Sequence, residues 1–414
     1  MLAALVDLAS KLQQLPDIHV PLIGNRWAVG GAFLTHVVFG SFTMGTLLLS
    51  PTFEWIGDRR GDARWTRLAR GLGEVNVRIF SIGATLAGFA VVFLTALYPR
   101  FFIPLFEMFF WPMLGAFMIW FPAIACLYIY VHNWDRMRER HRGRHVALGY
   151  AAAFFDHVFL FLIVGVDSYL LTPGGGASAF FNASYLPELL HRVNGNVSWA
   201  SFFIAGVLAV MSALDRSEED RAFHLWATRL GVVLGVATLL LQVPLGFFFA
   251  ESVKSASPGA FDYSFRGNFA WLWLVQGALL SVLLVGSNVY FTLTRRTPLG
   301  NALVGVTLVL GVLTVMPSAV YPHGLFWLRY VALGVILAAS LVHLLLWRRA
   351  RGGGAAEARR GARATLAVVA VSAVSIFLLM GVIRTTARGD YTIYGKQREV
   401  DSFGQYNPPA GQYP

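Results

Sequence analysis

The residues able to do chemistry are few, and most lie in apolar surroundings. His36 sits in WAVGGAFLTHVVFGSF, His157 follows Asp156 in AAFFDHVFLFL, His191 lies in ELLHRVNGNVSW and His343 in AASLVHLLLW. His323 falls in YPHGLFWLRY, with Met316 shortly before it. An imidazole among apolar and aromatic side chains in a helical bundle is the usual axial ligand of b-type haem, binding iron through a neutral ring nitrogen. Phe39 and Phe42 flank His36, Phe154 and Phe155 precede His157, and Trp199, Phe202 and Phe203 follow His191, a lining suited to the macrocycle. The same imidazoles are equally suited to hydrogen bonding between helices. Asp156–His157 reads either as a proton path or as a buried hydrogen-bonded pair. Glu107, Asp167 and Glu251 fall near span ends, where solvation is cheap. His132, His141, His145 and His224 fall at or in polar loops and are expected to be solvated. The single cysteine, Cys126, excludes a disulfide framework, a Cys-ligated cluster and CxxCH haem attachment. No GxxxxGK[ST], HExxH or Gly-rich dinucleotide fingerprint occurs, which removes ATP-driven transport, zinc proteolysis and nicotinamide chemistry.

The elements that position these residues are membrane spans. Of 414 residues 56% are hydrophobic and only 13% charged, about half the charge of a soluble domain. Stretches long and apolar enough to cross the hydrocarbon core run over 27–50, 79–98, 109–131, 147–171, 198–214, 230–250, 269–293, 299–320, 329–347 and 365–383. This predicts an all-α polytopic membrane bundle of about ten transmembrane helices, nine being the alternative count. Residues 1–26 read as an N-terminal surface segment, 27–383 as the bundle with its haem-binding helices mainly in 27–250, and 384–414 as an extended tail on the periplasmic side. The net charge of +11 rests almost wholly on arginine, since Lys11, Lys254 and Lys396 are the only lysines. Arginines crowd every second loop: 59–70, 136–144, 216–229, 295–296 and 348–363. That alternation is a topological signal and not a nucleic-acid footprint. It puts the N-terminus outside, and 351–363 then reads as a flexible cytoplasmic loop.

Five segments occur in a telling order: FLTHVVFGSFTMG around His36, YVHNWDRM over 130–137, ELLHRVNGNVSWASFFIAGV over 188–207, Glu251-Ser252, and RGDYTIYGKQR over 388–398. Together they resemble subunit I of the cytochrome bd-type quinol oxidases. The resemblance implies that His36 ligates a haem of the active-site pair and His191 the haem on the quinol side. It implies that Glu251, with Lys254 close by, marks the quinol region. It implies one or two haem b groups or more, quinol as substrate and a second membrane subunit as partner.

The departures from that family are specific. Aligned on Trp134-Asp135-Arg136, its two third-helix glutamates fall at Gly115 and Ala123; one ligates a haem in the family and the other serves proton delivery. The glutamate of its penultimate helix is missing from IFLLMGV over 376–382, and its Arg-x-Met ligand motif falls on Arg329-Tyr330-Val331. The long quinol loop and the last helix are absent. A second ligand for the haem on His191 would then come from Met316, His323 or His343, the first two being on its side of the membrane. Arg192, Arg329 and Arg388 lie on the face opposite the basic loops and are candidates to pair with haem propionates, surface ion pairs being the plainer role. The expected function is a haem b-containing electron-transfer subunit of a respiratory complex in the bacterial inner membrane. It would pass electrons from a quinol to oxygen or to a partner such as a periplasmic cytochrome c docked on the tail. The alternatives are a haem-free structural subunit and a secondary transporter whose spans are broken at Pro112, Pro122, Pro244 and Pro317.

Overall fold

The computed structural model describes residues 18–317, 321, 324–325, 327–350 and 356–398. The helices, in chain order, are α1 (Gly24–Leu47), α2 (Leu49–Arg60), α3 (Ala63–Leu97), α4 (Pro99–Met108), α5 (Phe110–His132), α6 (Trp134–Tyr169), α7 (Tyr185–Leu214), α8 (Glu218–Ala256), α9 (Pro258–Arg266), α10 (Trp271–Thr294), α11 (Gly300–Val315), α12 (Leu328–Arg349) and α13 (Arg360–Thr386). The protein is all-α and multi-pass: among the described residues nine helices, counting α1 with α2, are long and apolar enough to cross a membrane. The eighth expected span is the exception. Helix α11 has 16 residues, about 24 Å of rise against a hydrocarbon thickness of about 30 Å.

Local chemistry sets the boundaries. Helix α2 stops because Gly61 turns left-handed at φ 63°, its N–H capping Gly57 O. Asp62 follows as the N-cap of α3, its carboxylate accepting from the Arg64 N–H at 3.0 Å. The Arg64 side chain holds that carboxyl below the usual range. Tyr98 breaks α3 from α4, and Pro99 takes the first position of α4, where its missing N–H costs nothing. Helix α6 carries a non-helical residue at His141, φ −148° and ψ 60°.

Two compact units are present. The first comprises residues 18–192, 247–264 and 385–398; the second comprises 193–246, 265–350 and 356–384 among the described residues. In the first, α5 packs along α6 and α1 along α3. Leu47, Leu127, Ala152 and Ala153 form one buried cluster between these helices. At the other end Leu97, Tyr98, Phe101, Leu105, Phe109 and Tyr169 form another, and Ile393 is buried with them. In the second unit α10, α11 and α12 pack in succession. Gly231 and Gly235 of α8, four residues apart, let α7 approach until Ser201, Ala205 and Phe202 fill the space a side chain would take.

Two polar segments differ from the sequence expectation. The tail does not extend freely over residues 385–398. Strands β1 (Tyr391–Ile393) and β2 (Gln397–Arg398) form an antiparallel hairpin, and Tyr394 donates its backbone N–H to Leu170 O at 2.9 Å. Within the loop read as flexible, Glu357 is buried and its Oε2 lies 3.3 Å from Arg229 Nε of α8. Burial pushes the Glu357 carboxyl up despite the pull of Arg229 and Arg295. Residues 1–17, 351–355 and 399–414 lie outside the described residues.

Candidate functional site

Helix α1 presents His36 toward α3, where its Nδ1 lies 2.8 Å from the carbonyl oxygen of Gly83. A carbonyl only accepts, so Nδ1 carries the proton and the lone pair of a neutral ring is left on Nε2, the arrangement expected of a metal-binding imidazole with an oriented ring. The helices come this close because Gly83 lacks a side chain: a Cβ there would stand 3.0 Å from Phe39 Cβ. The ring edge lies over Gly40, with Cε1 3.7 Å and Nε2 3.9 Å from the place of a Gly40 Cβ. Phe42 is buried nearby on the chain. The donor chemistry at His36 thus fits an axial haem ligand.

His191 belongs to the same unit, near the N-terminal end of α7, with the Phe249 ring tilted against it at 5.9 Å between centroids. The next residue, Arg192, is engaged in ion pairs with Asp167 and with Glu188, the latter at 2.8 Å. Glu188 is almost wholly buried, so the guanidinium neutralises two carboxylates of its own unit. The expected aromatic lining goes elsewhere: Trp199 stacks on Phe377 at 4.9 Å, and Phe202 fills the space beside Gly235. Phe154 is 62% exposed and faces outward.

Adjacent residues on a helix point about 100° apart, and Asp156 and His157 behave accordingly. His157 turns Nδ1 to the Ala153 carbonyl one turn back, at 2.8 Å. Asp156 is buried, 6% exposed, and nothing described hydrogen bonds to its Oδ2. They are therefore not a hydrogen-bonded pair.

The proposed second ligands lie in the other unit or outside the described residues. His343 is fully buried with Nδ1 2.8 Å from Asn288 Oδ1 and Nε2 3.4 Å from Thr297 Oγ1, and Asn288 donates in turn to Ser340 at 2.8 Å. Both its nitrogens thus face polar partners between α10 and α12, a helix-bridging role in place of a ligand's. Met316 caps the end of α11, and its carbonyl accepts from Arg329 at 3.0 Å; the Arg329 guanidinium also covers the Tyr321 ring at 5.0 Å. His323 lies outside the described residues. Arg388 donates to Thr392 O at 2.9 Å inside the hairpin. Glu251 and Lys254 form an exposed pair at 3.3 Å.

Glu251 and Lys254 are nevertheless part of an organised region. The end of α8, helix α9 and the C-terminal hairpin meet in a cluster of Leu171, Val253, Ala260 and Ala387, with Phe249, Phe261 and Tyr394 against it. Gly259 leaves room there for the Tyr394 hydroxyl, which a Cβ would displace. Tyr263 lies against Gly389, whose φ of +57° suits glycine. The hairpin is thus a strap over the segment that follows the His191-facing Phe249.

One cluster has no counterpart in the sequence reading. His145, expected to be solvated, is fully buried: Nδ1 lies 2.7 Å from Glu54 Oε1 and Nε2 2.8 Å from Tyr130 O. Tyr130 donates to Glu54 Oε2 at 2.8 Å, and Arg138 pairs with Glu54 and, at 2.7 Å, with Asp58. His224 likewise pairs with Asp215 at 2.7 Å. Glu54 is 91 residues from His145 and 76 from Tyr130 in the chain, which is why spacing did not disclose that cluster. Among the described residues no group of three or more His, Cys, Asp or Glu side chains is arranged to hold a bare metal ion.

The sequence model of the family described as cytochrome bd terminal oxidase subunit I matches residues 25–261, more than half of the chain. The chain belongs to the cytochrome bd terminal oxidase subunit I family. The solved structure of bd oxidase from Geobacillus thermodenitrificans is similar over 92% of each chain, with a TM-score of 0.55 and 17% identity, which shows a shared fold. No curated protein matches. As a cytochrome bd subunit I relative, the chain is a membrane respiratory oxidase subunit, and its family match spans His36, His191 and Glu251 together.

Proposed function

We propose that this chain is the haem b-carrying, quinol-oxidising subunit of a cytochrome bd-type complex in a bacterial inner membrane, with its N-terminus outside. His36 and His191 hold haem iron, and a second membrane subunit completes the complex. The observation that carries the reading is the His36–Gly83 bond at 2.8 Å, which leaves Nε2 as the one basic ring nitrogen. A haem bound there supplies a one-electron redox centre whose potential its axial ligands tune. The chain's own residues orient the imidazole through Gly83 O, exclude water by the close α1–α3 contact, and shape the quinol region through Glu251, Lys254 and the Tyr394 strap.

Oxygen is the acceptor this reading favours, since the family is one of terminal oxidases. A docked periplasmic cytochrome c has no support: residues 385–398 of the tail pack on their own unit. The positions Gly115 and Ala123 carry no carboxylate, and the space beside Gly115 is met by Leu162 at 3.4 Å, so iron ligation from α5 is not part of the proposal. Arg388, Arg192 and Arg329 are each engaged in the contacts described above, so none of them is assigned to a haem propionate. The deciding experiment is a pyridine haemochrome assay with reduced-minus-oxidised spectra on the purified complex. Haem b is expected, at lower content in His36→Ala and His191→Ala, along with quinol-dependent oxygen uptake. A purified complex without haem absorbance overturns the proposal.

A further inference from the structure

Helix α5 runs antiparallel to α6, and three contacts fix their register. Tyr130 lies 2.8 Å from where a Cβ of Gly149 would stand, Leu127 shares a buried cluster with Ala152 and Ala153, and Gly115 lies 3.4 Å from Leu162 by the same measure. Each step back along α5 is matched by a step forward along α6. Asp156 is therefore level with Ala123, and both are buried, at 6% and 3% exposure. The Asp156 carboxylate sits on the face of α6 that carries Gly149, Ala152, Ala153, Leu160 and Val164. Its Oδ2 meets no hydrogen-bond donor, and its neighbour His157 is turned to its own helix. A charged carboxylate without a donor in such a place is expensive, and a neutral acid far less so. The same face begins, 11 residues toward the arginine-rich end, at the buried His145–Glu54–Tyr130 cluster, about 16 Å away along the helix axis.

We propose that Asp156 is the membrane-embedded proton carrier of this unit, rather than a structural hydrogen-bonding group. In the resting protein it is a neutral carboxylic acid. During turnover its O–H bond breaks, the proton goes to oxygen as that acceptor is reduced by quinol-derived electrons, and a proton from water at the arginine-rich end restores the acid. The turnover role rests on the oxidase reading above; the protonated resting state does not.

Infrared spectra of the purified complex at neutral pH test both parts. A carboxylic acid C=O band that shifts in heavy water is expected in the native protein, lost in Asp156→Asn and retained at a moved frequency in Asp156→Glu. Quinol-driven oxygen uptake is expected to fall roughly 100-fold in Asp156→Asn with haem content unchanged, and to return in Asp156→Glu. A native spectrum without the band, or a native-minus-Asp156→Asn difference spectrum in which no carboxylic acid band is lost, overturns the proposal, as does full turnover in Asp156→Asn. If Asp156→Asn does not assemble, Asp156→Ala with Ala123→Glu takes its place, since it puts an acid at the same level from the facing helix. A band at a new frequency with restored uptake then supports the carrier, and assembled protein lacking uptake refutes it. A native complex that shows the band but oxidises no quinol refutes the oxidase reading and leaves the resting acid standing.

Discussion

His36 donates from Nδ1 to the carbonyl of Gly83 at 2.8 Å, across the contact between α1 and α3. That bond decides which ring nitrogen is protonated and therefore leaves the lone pair on Nε2, the nitrogen proposed to hold haem iron. It also makes a glycine on α3 part of the site, since the carbonyl reaches the ring only while Gly83 has no side chain.

Replacing Gly83 with Val is expected to force α3 from Phe39, where even a Cβ stands at 3.0 Å, and to loosen the ring. Loss of such an orienting bond typically weakens metal binding about 10–100-fold. Haem retention through a dilution series reads it, with His36→Ala as the complete loss. Equal retention in Gly83→Val and the native protein would show that the bond orients nothing.

Arg192 bridges Asp167 and the buried Glu188. Removing the cation strands a carboxylate in a dry place, so Arg192→Ala should destabilise the protein by about 3–5 kcal/mol. The thermal midpoint of the detergent-purified complex should fall accordingly. The double variant Arg192→Ala/Glu188→Gln should recover part of the loss, because the more deeply buried of the two carboxylates is then uncharged.

The Tyr394 strap predicts a separation of effects. Gly259→Ala places a methyl against the Tyr394 hydroxyl and must displace the Tyr394 ring from its seat on the segment carrying Glu251 and Lys254. The KM for quinol should rise while haem content stays native. Unchanged KM in both Gly259→Ala and Tyr394→Ala would mean the strap is only a terminal anchor.

His145 sits between Glu54 and the Tyr130 carbonyl with both ring nitrogens satisfied. His145→Ala leaves a buried carboxylate and a buried carbonyl short of a partner, each costing about 1–3 kcal/mol or more for the charge. Chemical denaturation should show the loss, and His145→Gln should suffer less than His145→Ala.

Asp62 gives a pH signature outside the membrane. Its carboxyl is held below the usual value first by the Arg64 side chain. A depressed folded-state value means the contribution is complete above the ordinary carboxylate range and is lost as pH falls through the depressed value. Asp62→Ala should cost about 0.5–2 kcal/mol near neutrality through the lost cap. The gap between mutant and native protein should close in acid.

Much of this was decided by sequence alone. Apolar runs of membrane length and arginines in alternate loops dictate a multi-pass bundle, because lipid tolerates neither open backbone nor unpaired charge. The motifs around His36, His191 and Glu251 pointed to the family before any geometry. The expected eighth span shortened to α11 because Pro317 cannot continue a helix. What remained hidden depended on contacts between residues distant in the chain. Nothing near His145 in sequence reveals that Glu54 waits 91 residues away, so a histidine beside an arginine-rich run looked solvated. Nothing in AASLVHLLLW shows Asn288 facing His343. Asp156 and His157 are neighbours in the chain, yet helical geometry turns one into a dry helix contact and the other to its own backbone. Periodicity fixes which face a residue occupies; only packing decides what that face meets, and so which buried group has a partner and which has none.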